Sequence, residues 1–405
     1  MNFHILGFGA VGHLVAHHLR RVLPLSHTIT IIHKTPSRAR DFLIHGGSVS
    51  VERDGVITAE KGFVPEPLYI PHEQQTYPGT RVPSAPSRNV VFPDLSRITS
   101  LIITTKAHQV TVGIKQLLPR LSSDSTVVLL HNGMGVYEEL INDVFRNEQR
   151  RPHFILASNT HGVFIKNAYT AVHTGLGEMQ FGIVPDPAGR DFEASYHDEH
   201  IAQHERSLAL TDIADPANKR YHSLHATVSA LVAMEELSVS WKPISEMQLA
   251  MRRKLVVNSV INPLTAIMGC RNGDILKTKA IVHLMGKICG EASKLFAAQY
   301  LDETQHWLDD LSKRGMDPQE VSVGRLHVGL SEESLRMEVI RVARATDGNI
   351  SSMLSDVRRG RKTEVQYITG YLLRLAKIYK VNVPYIAMLH YLIKMRSEIP
   401  LDQML

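Results

Sequence analysis

The chain has 405 residues, 43% of them hydrophobic, and its 45 Lys and Arg against 40 Asp and Glu give a net charge of +5. That length allows two domains with substantial cores, and no apolar run is long enough to cross a bilayer. Acidic and basic residues are interspersed without an aromatic-bearing Lys/Arg stripe, which disfavours nucleic-acid binding; two cysteines (Cys270, Cys289) exclude a disulfide framework, and the 22 histidines lack metal-ligand spacing, so no metal is expected.

The first strand-like run, Asn2-Phe3-His4-Ile5-Leu6, leads directly into Gly7-Phe8-Gly9-Ala10-Val11-Gly12. In a GxGxxG behind a strand, the first glycine makes the tight turn, the second lets backbone amides approach a pyrophosphate, and the third lets the helix pack closely. Gly7, Gly9, Ala10, Val11 and Gly12 are therefore predicted to bind a dinucleotide, with a helix over 11–19 and a second strand over 28–32. An acidic residue at the end of that strand would take a ribose 2′-hydroxyl, whereas a basic one suits a 2′-phosphate. The sequence there, His33-Lys34-Thr35-Pro36-Ser37-Arg38, has no carboxylate. It points to NADP(H), with Lys34 as the phosphate contact; Arg38 and Arg40 come next, and each reads equally well as a solvated surface residue. Cleavage of the first twelve residues as a signal would destroy the glycine loop, and they lack a basic n-region. A cytoplasmic protein is expected, with a mitochondrial pool left open.

Two polar, proline-bearing stretches follow, 46–62 and 65–93, too irregular for a long helix; the second reads as an insertion or a mobile flap. Regular patterning resumes with a strand over 101–105 ending in Lys106-Ala107-His108-Gln109 and a helix over 110–118. A strand over 126–130 then ends in His131-Asn132-Gly133-Met134-Gly135. This alternation builds a parallel doubly wound sheet, in which ligands bind beyond the carboxyl ends of the strands, where Lys106, Gln109 and Asn132 lie. Further strands are predicted over 154–158, 168–173 and 178–183, the last two as an antiparallel edge. A second insertion spans 185–218, and a helix over 224–236 with a short run over 237–241 completes the first domain. Long helices follow, over 246–261, 281–299, 332–344 and 362–379. The expected architecture is α/β: a Rossmann-like domain over 1–243 carrying insertions at about 46–93 and 185–218, then an all-helical domain over 244–405.

The densest polar signal of the helical half is Lys254-x3-Asn258-x3-Asn262-Pro263-Leu264-Thr265. The i, i+4, i+8 spacing stacks an ammonium and two carboxamides on one helix face, with Leu255, Val256, Val257, Val260 and Ile261 on the others. Asparagine is a poor helix former and costly to bury, so two on one stripe need partners. Pro263 lacks an N–H, as where a helix bends or ends near a site. The plain alternatives are an Asn pair satisfied by backbone at a helix crossing and a solvated Lys254. A second constellation joins Asn349-Ile350-Ser351-Ser352 to Thr363-Glu364. Ser351 or Ser352 could bind a carboxylate at a helix start. Glu364 is either a helix-start carboxylate or an acceptor reaching the site.

Together with Asn272-Gly273, these motifs, in order and spacing, resemble the ketopantoate reductase (2-dehydropantoate 2-reductase) family. A Lys-x3-Asn alone recurs among β-hydroxyacid dehydrogenases; Asn262 followed by Pro-Leu-Thr narrows it. The resemblance covers most of both domains and leaves out the two insertions, a pattern associated with fungal members. It implies NADPH-dependent reduction of 2-dehydropantoate to pantoate, a step toward coenzyme A. It further implies Lys254 as general acid, Asn258 and Asn262 on the substrate's hydroxyl and carbonyl side, and Ser352 on its carboxylate. Glu364 would position substrate and cofactor ribose, Lys106, Gln109 and Asn132 would line the nicotinamide side, and Asn272 would be a further substrate contact. Two alternatives stay open: a reductase of another branched 2-oxo acid, and a non-catalytic binding relative. A homodimer is compatible with the sequence.

Overall fold

Buried apolar runs such as Thr28–His33 and Thr126–Leu129 have too little polar surface to face water on either side, which makes them central strands of a parallel sheet. The computed structural model describes residues 1–68, 96–202, 204–315, 317 and 324–399. It divides into two compact units, Met1–His131 with Tyr137–Met247, and Asn132–Val136 with Gln248–Leu405. Among the described residues no helix is long and apolar enough to cross a membrane.

The first unit runs β1 (Asn2–Leu6), α1 (Ala10–Val22), β2 (Thr28–His33), α2 (Pro36–Ile44), β3 (Val49–Arg53), β4 (Val56–Glu60), β5 (Phe63–Pro67), β6 (Ser100–Ile103), α3 (Ala107–Leu117), β7 (Thr126–Leu129), α4 (Val136–Asp143) and β8 (His153–Asn159). It continues through β9 (Gly162–Asn167), β10 (Thr170–Gly175), β11 (Met179–Ile183), the short turns α5 (Ala194–His197) and α6 (Leu210–Ile213), α7 (His222–Val232) and β12 (Val239–Trp241). Eight strands form one sheet in the order β12-β11-β8-β7-β6-β1-β2-β5, parallel except where β11 meets β8. The expected doubly wound sheet is therefore present, and the strand over 178–183 is antiparallel to its neighbour.

The strand over 168–173 is not part of that sheet. As β10 it pairs antiparallel with β9 and parallel with β3 in a separate four-stranded sheet, β4-β3-β10-β9. The stretch 46–62, expected to be irregular, supplies the other half of this sheet. Asp54 and Gly55, both at positive φ (51° and 80°), make the tight Asp-Gly turn that joins β3 to β4. Val49 and Val51 point inward and are buried, while alternate residues are polar. With one wet face, its polar half masked the strand signal. The stretch 65–93 opens inside β5, an edge strand, where Pro65 and Pro67 are tolerated because one side needs no ladder hydrogen bond; residues 69–95 lie outside the described residues.

The second unit is helical: α8 (Ile244–Met268), α9 (Lys279–Lys313), α10 (Glu332–Ala345), α11 (Ser352–Arg358), α12 (Thr369–Tyr379) and α13 (Pro384–Glu398). Its core gathers Val256, Val260 and Leu264 of α8 with Ile288, Leu295 and Phe296 of α9 and with residues of every later helix. Two expectations change. Pro263 does not end α8, which continues to Met268 because Leu264 and Ala266 stay in the core and Thr265 Oγ1 lies 2.7 Å from the Ile261 carbonyl. The span 362–379 is not one helix: Glu364 opens a 3-10 turn over Val365–Tyr367, and Ile368 at φ −105°, ψ −94° breaks the path before α12.

Candidate active site

In the glycine loop each glycine meets a different constraint. Gly7 stands at φ +109°, and a Cβ there would lie 2.6 Å from the Thr105 amide nitrogen. A Cβ on Gly12 would come within 2.0 Å of the Gly7 carbonyl oxygen, so α1 can start this close to β1 only with glycine at that position. Beyond Gly9 there is nothing within 4 Å of the corresponding position. Gly9 precedes α1 without a side-chain cap, which leaves first-turn amides available to an anion. The Thr104 hydroxyl donates to the Gly7 carbonyl at 2.6 Å and ties the loop to the end of β6.

At the carboxyl end of β2, His33 is buried and Lys34 exposed. The Thr35 hydroxyl accepts the Arg38 amide and caps α2; Arg38 and Arg40 are exposed. No carboxylate occurs before Asp41. At the end of β6, Lys106 is half-buried at the start of α3 and Gln109 is exposed on its first turn. Asn132 follows β7, but its turn belongs to the second unit. There the Met134 amide donates to the Tyr367 carbonyl at 2.8 Å. Gly133, at φ +83°, leaves no room for a Cβ, which would lie 2.5 Å from that same carbonyl. Since the Tyr367 amide in turn donates to the Glu364 carbonyl at 2.9 Å, Asn132 is carried on the segment that begins with Glu364.

The stripe on α8 forms as its spacing requires: Asn262 is buried, and Lys254 and Asn258 are half-buried. The rotation of the helix is set from behind. Arg253 donates to the Gly329 carbonyl at 3.0 Å and the Ser334 hydroxyl at 3.1 Å, and pairs with Glu338 at 3.3 Å. Burial lowers the Lys254 ammonium from its usual 10.5 to about 8, and the negative charge of Glu364, itself buried, acts in the opposite direction. Glu364 thus acts on Lys254 from more than a hundred positions along the chain.

Of the two serines, Ser351 is committed: its Oγ accepts the Leu354 amide at 3.1 Å and hydrogen-bonds Thr265 Oγ1 at 2.7 Å. Ser352, the first residue of α11, is exposed. Thr265 had no role assigned by sequence, although it sits eleven positions after Lys254, three turns at 3.6 residues per turn, and so on the same stripe. Through Ser351 it fixes the start of α11 against α8. Asn272 is buried, with its Nδ2 donating to Thr346 at 3.0 Å and its backbone amide to the Asn349 carbonyl at 3.0 Å. Its Oδ1 is buried without a hydrogen-bond partner. Those bonds tie the turn after α8 to the 346–349 turn that leads into α11. Among the described residues no group of three His, Cys, Asp or Glu side chains is placed to hold a metal ion.

An ammonium near neutral pKa beside two carboxamides and a carboxylate can donate a proton to a developing alkoxide and orient a polar substrate. Comparison with known proteins agrees with that chemistry. Residues 3–186 match the family model described as Ketopantoate reductase PanE/ApbA, and residues 246–397 match its C-terminal counterpart. The 2-dehydropantoate 2-reductase of Yersinia pestis is 30% identical over 299 residues, 74% of each chain. That of Saccharomyces cerevisiae is 24% identical over 378 residues, 92% of this chain and 87% of the other. The crystal structure of the probable 2-dehydropantoate 2-reductase of Bacillus subtilis is 22% identical with a TM-score of 0.59, covering 98% of this chain and 100% of that one. On the strength of both halves, the chain belongs to the ketopantoate reductase family.

Proposed function

We propose that this chain reduces 2-dehydropantoate to (R)-pantoate with NADPH, with Lys254 as general acid. The observation that carries the reading is the stripe of Lys254, Asn258 and Asn262 along α8, where burial lowers the Lys254 ammonium and the charge of Glu364 opposes that shift. The glycine loop fits a dinucleotide: space lies beyond Gly9 where Gly7 and Gly12 have none, and the α1 amides lack a side-chain cap. Gly7, Gly9, Ala10, Val11 and Gly12 would hold the pyrophosphate. The missing carboxylate after β2 and the exposed Lys34 support the 2′-phosphorylated form. When bound, the dihydronicotinamide supplies a hydride to the substrate's C2 carbonyl carbon.

Reduction of that carbonyl leaves charge on its oxygen, and Lys254 Nζ gives it a proton as the charge develops. Asn258 and Asn262 hydrogen-bond the carbonyl and the substrate hydroxyl, and their fixed places on one helix face hold C2 in a single orientation. The exposed Ser352 hydroxyl takes the carboxylate. Glu364 raises the Lys254 pKa and so favours its protonated form, and positions substrate and cofactor ribose, and Lys106, Gln109 and Asn132 orient the nicotinamide side. Asn272 supports the substrate side through the turn leading to Ser352. The test is NADPH consumption by purified protein with 2-dehydropantoate, with NADH, and with a panel of other branched 2-oxo acids. The reading expects 2-dehydropantoate with NADPH to be preferred and a folded Lys254→Met to lose roughly 10²–10⁴-fold in turnover. Turnover with none of the acids, or a Lys254→Met that keeps full activity, overturns it.

A further inference from the structure

Helix α1 carries three buried histidines, His13, His17 and His18. Two of them, one turn apart, reach into the second sheet. His17 Nδ1 lies 3.3 Å from the Val49 carbonyl and its Nε2 3.1 Å from Thr58 Oγ1, on the β3–β4 hairpin. His13 Nε2 lies 3.2 Å from the Ala168 carbonyl, in the turn between β9 and β10. The other nitrogen of His13 faces the glycine loop, with Nδ1 at 2.9 Å from the Gly9 carbonyl. The ring of Phe8, between the first two glycines, stacks on His13 with centroids 3.7 Å apart and planes 20° from parallel. Phe8 also meets Phe42 edge-on at 5.7 Å, and Phe42 meets Tyr169, the neighbour of Ala168, at 5.7 Å.

The Phe8 side chain between Gly7 and Gly9 is thus packed, through His13 and Phe42, against groups of the small sheet, and the His13 ring lies between the Gly9 and Ala168 carbonyls. We propose that the β4-β3-β10-β9 sheet braces the glycine loop in its cofactor-binding form, with His13 and Tyr169 as the positioning residues that transmit the brace. Neither residue touches the cofactor in this scheme; they set the backbone that does. A neutral imidazole has one N–H, so His13 donates to one carbonyl while its ring packs against Phe8. Removing that ring takes away the stack on Phe8 on the outer side of the turn, where a Cβ on Gly9 would meet nothing within 4 Å, and leaves the loop held from the β6 side by Thr104. The inference rests on the reading that this loop takes the dinucleotide, and the stretch 46–62 acquires a purpose from it.

Two measurements test the brace in full-length protein. Hydrogen exchange over residues 7–12 in cofactor-free protein should speed up in His13→Leu and in Tyr169→Ala, and less in His13→Gln, whose amide can replace one hydrogen bond. The Kd for NADPH should rise about tenfold in His13→Leu, the scale of one buried hydrogen bond, while kcat at saturating NADPH and KM for the 2-oxo acid stay as in wild type. Unchanged exchange and unchanged Kd in the folded variants overturn the brace. Wild-type protein that does not bind NADPH overturns the cofactor reading instead, and the exchange arm then still decides whether the sheet holds the loop. Should His13→Leu fail to fold, Tyr169→Ala, which leaves α1 intact, carries the same two outcomes.

Discussion

If Lys254 donates the proton, the pH dependence of kcat/KM must carry its ionisation. The acid form is the active one, so activity follows the protonated fraction, which falls as pH rises through about 8. Relative to the plateau below neutrality, kcat/KM should stand near one half at pH 8 and roughly one tenth at pH 9, losing about tenfold for each further unit. A lysine at its usual 10.5 would show no such limb until well above pH 10. The perturbation that isolates the cause is Glu364→Gln. Glu364 raises the Lys254 pKa by its charge, so its removal must move the limb toward lower pH, while the burial that depresses the pKa remains. The assay is initial rates of NADPH oxidation at subsaturating 2-oxo acid over pH 6 to 10, for wild type and variant, with circular dichroism to confirm folding at each pH. A profile flat to pH 10 refutes a Lys254 donor whose pKa burial has lowered to about 8. A limb that stays put in Glu364→Gln, even with a lower overall rate, refutes the electrostatic coupling and leaves Glu364 a binding residue only.

Three further expectations concern the first unit. His4, His33 and His153 are buried and depressed to about 4, by burial first and then by Arg120, Arg38 and Arg220 respectively. The unfolded chain therefore binds more protons below about pH 6.5, and stability, nearly complete above that pH, drains as pH falls toward 4; each histidine contributes a loss of about 1.5 kcal/mol between pH 6.5 and 5. Urea midpoints that agree at pH 7.5 and pH 5 would contradict this. Arg120 pairs with the buried Glu66 and donates its Nε to the Ser96 carbonyl at 2.9 Å. Arg120→Met should cost ~3–5 kcal/mol by stranding that carboxylate, and adding Glu66→Met should recover much of it; no recovery in denaturant melts would mean that the pair is not the source. Gly9→Ala should fold with an ordinary Tm yet bind NADPH poorly, whereas Gly12→Ala should lower Tm because its Cβ collides with the Gly7 carbonyl. Equal thermal behaviour of the two would refute the distinct roles of these glycines.

What could be read along the chain is what short-range chemistry determines. The turn after β1 needs glycine at Gly7 and Gly12 for reasons of φ and close approach that act within a few residues and across one neighbouring strand. The order of strands and helices in the main sheet follows from apolar runs whose period is local. The stripe of Lys254, Asn258 and Asn262 follows from helical geometry alone, and so does Thr265, which the same arithmetic would have added. Tertiary structure decided what depends on partners distant in sequence. The 46–62 stretch has one polar face and became a sheet only by pairing β3 with β10, more than a hundred residues later. Ser351 and Ser352 are indistinguishable as letters, and only the hydroxyl of Thr265 shows which of them is committed to structure. Glu364 was as readable as a helix-start carboxylate until the fold set its charge to act on Lys254. Backbone preference acts over a turn or two of chain, whereas strand partnership, hydroxyl pairing and the pKa of a buried ammonium depend on desolvation and on charges that only the assembled core brings within reach.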